Sequence, residues 1–214
     1  MKPIAKAKIL GSAIGLRPGQ RDTVDVLSQV MALPDGRSVA ALGVDLSTAP
    51  VPERRYVSDL AGVVYRKGVV KLVFGQESLS HGLRSMIVIQ MSAHATRNFL
   101  RSLEQMSHPT LDEIAAIVGV EQDELLPLDN GITEPDQTVA FAANMIGTTV
   151  VGTDVCFDVY NVAMSAATIA AVGGMNKMPI DSVVRVDLRL GLLLPIRNAL
   201  RELESQFPPE FGTE

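Results

Sequence analysis

The chain has 214 residues, 47% of them apolar and 20% charged. That balance belongs to a folded protein with enough apolar surface for one large domain or two small ones, and it excludes a disordered chain. Nineteen Lys and Arg against 24 Asp and Glu give a net charge of −5, so nothing drives the protein electrostatically toward nucleic acid or an anionic membrane.

The single cysteine, Cys156, can form no intrachain disulfide and no cysteine-built zinc site, which fits a reducing compartment. Lys2, Lys6 and Lys8 are followed by no continuous apolar stretch of the kind a signal peptide needs. No apolar run approaches the ~20 residues that cross a bilayer. The expected location is the cytoplasm, with no membrane contact.

In chain order, Thr23–Leu33 and Arg37–Val44 are apolar-rich segments joined by Pro34-Asp35-Gly36. Asp-Gly between strand-like runs predicts a β-hairpin. Pro50 and Pro52 then block both helix and central strand, so a linker is expected there. Ala61–Tyr65 and Val69–Phe74 read as strands around a tight turn at Arg66-Lys67-Gly68, and Met86–Met91 as a third strand. Ser92 is placed to cap a helix on which Phe99, Leu100, Leu103 and Met106 share one arc.

The same order recurs later. Asn144–Val151 and Thr153–Val159 read as paired strands with Gly152 at the turn, and Val183–Leu190 as a third strand with Arg185, Asp187 and Arg189 on its wet face. A helix follows, with Ile196, Leu200, Leu203 and Phe207 as its core stripe. Its Arg197–Glu204 text matches Arg97–Glu104 at six of eight positions. With single-residue usage of ~5–9%, chance is a poor account of that match.

The expected fold is therefore α+β, with two pseudo-symmetric β-β-β-α units, a helical connector and an N-terminal β-hairpin. The boundaries are 1–55 for the hairpin segment and linker, 56–106 for the first unit, 107–141 for the connector and 142–214 for the second unit. An offset of 83 pairs Phe157 with Phe74 and Asn144 with Ala61. The units either pair into one sheet or pack as separate sheets.

Within the connector, Thr110 and Glu113 form a capping box, and the text around Ala115 and Gly119 resembles the start of a helix-turn-helix. The helix that would read DNA offers Glu121, Asp123 and Glu124 and no cation. Carboxylates repel phosphates, so a plain connector is the preferred reading of residues 110–126 and no nucleic-acid partner is expected.

No catalytic or cofactor motif stands out. His81, His94 and His108 have no co-ligands at metal spacing. No Gly-x-Ser-x-Gly elbow or phosphate loop occurs. Cys156, between Val155 and Phe157, reads as a packed, inert thiol. Catalytic, cofactor and metal residues are all expected to be absent. A site assembled in space from residues such as His94, Arg97 and Asp187 is the enzymatic alternative.

Arg97, Arg101, Arg197 and Arg201 make a stripe along each repeated helix. A solvated face is the plainer reading; ion pairs between the units, or contacts to a partner carboxylate, are the sharper one. The small-residue apolar stretch from Asn161 to Met175 is either core or an interface. The candidate partner-binding residues are thus the four arginines with Met164, Ile169 and Met175.

In its two strand–strand–strand–helix units, marked by Val73-Phe74-Gly75 and by Leu100-x-x-Leu103-Glu104, the chain resembles a family of short bacterial proteins of unknown function. The order of elements is also similar to that of the export chaperone SecB, in topology only. The resemblance implies no cofactor and no catalytic residue. Taken together, these readings predict a non-enzymatic protein that binds a polypeptide partner, or copies of itself, through a sheet edge or an apolar surface.

Overall fold

The computed structural model describes residues 22–32, 38–78, 82–106, 138–163 and 176–212. The fold is mixed α+β. The expected hairpin is formed by β1 (Thr23–Ala32) and β2 (Ser38–Asp45), antiparallel from Asp25 opposite Asp45 to Ala32 opposite Ser38. A 3-10 turn, Leu46–Thr48, follows, with Asp45 capping it through Ser47 N–H.

Next come β3 (Arg55–Ser58), β4 (Leu60–Arg66), β5 (Val69–Ser78), β6 (Gly82–Ser92) and α1 (Ala93–Gln105). Beyond the connector lie β7 (Thr138–Ala142), β8 (Met145–Val151), β9 (Asp154–Asn161), β10 (Lys177–Pro179) and β11 (Asp181–Arg189). The chain then enters α2 (Leu193–Gln206) and the single-turn α3 (Pro208–Phe211).

Local chemistry accounts for these boundaries. Lys67 and Gly68 both take positive φ, as a two-residue hairpin loop requires, and Gly152 does so at the β8–β9 turn. Ser92 Oγ accepts from Ala95 N–H at 3.2 Å and starts α1 as expected. On α1 the buried residues include Phe99, Leu100 and Leu103, and on α2 Ile196 and Leu200, so both stripes face inward as their spacing predicts.

The strands form three sheets, in the orders β10-β1-β2, β3-β11-β9-β8 and β4-β5-β6-β7. The two four-stranded sheets share one pairing pattern. In each, a hairpin is followed by an antiparallel third strand, and a fourth strand runs parallel to that third strand. The fourth strand always comes from the other half of the chain. β3 runs alongside β11, and one residue later the chain becomes β4 of the other sheet. β7 runs alongside β6, and the chain then becomes β8 of the opposite sheet. Two long, broken strands thus stitch the sheets together at opposite corners.

Three features differ from the sequence reading. β3 starts on the last residue of the presumed linker and occupies the start of the presumed first unit, and β7 takes the end of the presumed helical connector, because a short strand lacking strong alternation is recruited by a distant neighbour and not by its own propensity. The rest of the connector, including residues 110–126, lies outside the described residues. So do Met164, Ile169 and Met175, together with His81 and His108.

The correspondence between the halves also shifts. Tyr65 faces Val70 and Val150 faces Val155, 85 positions on, so Phe157 stands where Leu72 stands, Val159 where Phe74 stands and Ile146 where Ala61 stands. The expected offset of 83 is wrong by two. A two-residue slip keeps every side chain on the same face, so the apolar pattern alone cannot detect it; turn geometry decides.

One core holds both halves together. It contains Val70, Leu72 and Phe74 of β5, Ile87, Ile89 and Met91 of β6, Val155, Phe157 and Val159 of β9, and Val184, Val186 and Leu188 of β11, with α1 and α2 packed among them. Phe157, fully buried, meets Phe99 edge-on at 5.3 Å and Phe74 at 6.1 Å between ring centroids. A smaller core of Val24, Tyr160, Val162, Met178 and Ile180 fixes the N-terminal hairpin against β9 and β10.

Candidate functional site

The repeated helices meet each other. Arg101 bonds Glu204 of α2 at 2.9 Å and its own helix's Glu104 at 2.6 Å, while Arg201 bonds Glu104 at 2.8 Å. The contact 101–204 is thus answered by 201–104, a reciprocal pair of ion pairs between the two helices. Arg97 approaches Glu204 at 3.5 Å and donates to the carbonyls of Phe211 and Gly212, clamping the end of α3. Bonds from Arg201 and Arg101 hold the Glu104 carboxyl below its usual range.

For Arg97, Arg101 and Arg201 the ion pairs between the halves are formed, on side chains that stay partly exposed. Arg197, the counterpart of Arg97, joins none of these pairs among the described residues. Its Nε is buried without a hydrogen-bond partner, and burial followed by the neighbouring Arg201 pushes its pKa down.

The outer face of the β3-β11-β9-β8 sheet carries a charged ladder. Arg185 grips Asp158 through two bonds of 2.7 Å, and Arg55 bonds Asp187 at 2.7 Å. The Cys156 thiol donates to Asp187 Oδ1 at 3.1 Å. Burial, then that bond to a carboxylate, pushes the thiol up to about 11. At pH 8 its thiolate fraction is on the order of one-hundredth that of a free cysteine.

Iodoacetamide labelling of the native protein is therefore expected to run about two orders of magnitude slower than labelling of the denatured chain at the same pH. Asp187→Asn is expected to recover only part of the difference, because burial is the larger cause and stays. Equal rates before and after denaturation would refute the inert-thiol reading.

The residues proposed for an assembled enzymatic site do not converge. His94 is exposed on α1, and Arg97 is engaged by the chain end. Asp187 lies on the outer face of its sheet, because its neighbours Val186 and Leu188 point into the core that α1 joins. Among the described residues no three His, Cys, Asp or Glu side chains stand close enough to hold a metal ion, and no helix is long and apolar enough to cross a membrane.

A groove of about 460 Å³ runs along β8, and sequence reasoning missed it. Its walls come from separate parts of the chain. α1 supplies Asn98, Phe99 and Ser102, and β8 itself forms the floor from Met145 to Thr149. The opposite wall is the 3-10 turn with Leu46 and Ser47. β8 is an edge strand, with β9 on one side and no ladder partner on the other among the described residues. A Cβ at position 147 would stand 3.6 Å from Leu46 Cδ1, so the turn lies close against β8 on that side.

The ionisable side chains lining it are Asp158, held by Arg185, and Tyr160, whose hydroxyl donates to Pro50 C=O at 3.1 Å and is pushed up to about 12, mainly by burial. Among the described residues the Thr148 hydroxyl is buried there without a partner. Since an unmet buried hydroxyl is destabilising by about 1–3 kcal/mol, Thr148→Val is expected to raise the melting temperature. A lower melting temperature would mean that the hydroxyl has a partner after all.

No signal in the sequence points to this groove, because α1, β8 and the 3-10 turn are brought together only by the exchange of strands between the sheets. No protein-family model, curated protein or solved structure matches the chain.

Proposed function

We propose that this is a non-enzymatic interaction protein that captures an extended polypeptide along the edge of β8, on a scaffold made by copying one sheet-and-helix unit. The observation that carries this reading is the groove itself, where a strand edge with no ladder partner among the described residues lies between a helix and a turn. Such an edge offers backbone donors and acceptors in a row, and an incoming strand gains main-chain hydrogen bonds that do not depend on its sequence. The groove's ionisable groups are either paired or titrate far above neutrality, which suits holding a chain better than moving protons. The shared pairing pattern of the two sheets and the reciprocal ion pairs of α1 and α2 support the duplication.

The test is anisotropy of a fluorescently labelled, reduced and carboxymethylated protein that cannot fold, titrated with the full chain. The expected result is saturable binding that Asn98→Trp abolishes, since Asn98 is exposed on the groove wall and a tryptophan there fills the channel without entering the core. Absence of binding, or binding indifferent to Asn98→Trp, would overturn the reading. Light scattering on the same samples distinguishes capture of a foreign chain from pairing of two copies through β8.

A further inference from the structure

We propose, resting on that reading, that the groove selects an uncharged strand with small side chains on the face turned toward α1. Its shape and charge both point to such an occupant. A strand added to β8 projects alternate side chains to opposite sides. On one side it meets Asn98 and Ser102, which leave room for Ala, Ser or Thr; on the other it meets Leu46, an apolar contact suited to Val or Ile.

The charge argument is sharper. The chain carries −5 overall, yet the one carboxylate in the groove, Asp158, already receives two hydrogen bonds from Arg185. A Lys, Arg, Asp or Glu entering between α1 and the turn would lose water and meet neutral side chains such as Asn98, Ser102 and Ser47 but no unpaired opposite charge among the described residues, and that desolvation penalty falls on either sign alike. The seven residues of β8 span about 24 Å at ~3.4 Å per residue, so a segment of similar length fills the edge.

The probe is a capped heptapeptide, Val-Ser-Val-Thr-Val-Ser-Val, compared with two analogues in which both serines are replaced by lysine or by aspartate. Each competes against the labelled unfolded chain for the full-length protein. The neutral peptide is expected to compete and to shift backbone amide resonances of β8; both charged analogues are expected to be at least tenfold weaker.

If the unfolded chain binds and Asn98→Trp abolishes it, but the neutral peptide fails to compete or the charged analogues compete equally, the selectivity is refuted while the groove reading stands. If the unfolded chain itself does not bind, both fall. If one sign of charge alone is tolerated, the groove is not neutral and the proposal is overturned.

Discussion

Replacing Phe157 by alanine is expected to lower stability by about 3–5 kcal/mol and to do so for both halves of the chain at once. Phe157 belongs to β9, but its ring touches Phe74 of β5 and Phe99 of α1, so the cavity opens where the two halves share their interior. A domain of this kind has roughly 5–15 kcal/mol in hand, so the loss brings the variant near the edge of folding. The expected denaturant curve is a single transition moved to lower midpoint, with the near-ultraviolet and far-ultraviolet signals falling together. Two separate transitions, one of them unmoved, would show that the halves keep independent cores and that the exchange of strands does not couple them.

That coupling is also where the sequence stops being informative. The individual elements are legible because their cause is local. Lys67-Gly68 and Gly152 announce their turns, Ser92 its helix, and Val184, Val186 and Leu188 alternate because one face of β11 is buried. The repeated Arg-Asn-x-Leu-Arg text places two similar helices in the chain but does not say whether they touch. An arginine four residues from another is equally at home in water, and only the approach of α2 to α1 turns Arg101 and Arg201 into reciprocal partners for Glu204 and Glu104.

β3 and β7 are invisible for a related reason. Arg55-Tyr56-Val57-Ser58 and Thr138-Val139-Ala140-Phe141-Ala142 are too short and too little patterned to declare themselves, and their ladder partners lie 130 and 52 residues away in the chain. The groove depends on both. With β7 seated beside β6, the next residues are carried across as β8 and run under α1; were β7 to pair within its own half, α1 and β8 would have no reason to meet. The candidate site is thus a product of topology, and its residues have in common only where the chain takes them.

The neutrality of that groove depends on one ion pair, and Arg185→Met tests it. Methionine keeps an unbranched stem of similar reach and removes the guanidinium, whose pKa is raised chiefly by its bonds to Asp158. The two side chains are 22% and 14% exposed, so the pair is screened less than a surface one but is not dry. Loss of hydrogen bonds to a charged group at such a site is expected to lower stability by about 1–3 kcal/mol, less than truncating a fully buried pair. The consequence for binding is larger in kind than in energy. Asp158 then presents an uncompensated carboxylate to the groove. The lysine-bearing heptapeptide, expected to compete weakly for the native protein, is expected to become the best competitor, and its affinity should fall as salt is added. Because Arg185 and Asp158 lie on adjacent strands, a double variant with Asp158→Asn restores a groove without charge and is expected to restore the preference for the neutral peptide. If Arg185→Met leaves the order of the three peptides unchanged, the occupant does not pass Asp158, and the path assigned to it along β8 is wrong.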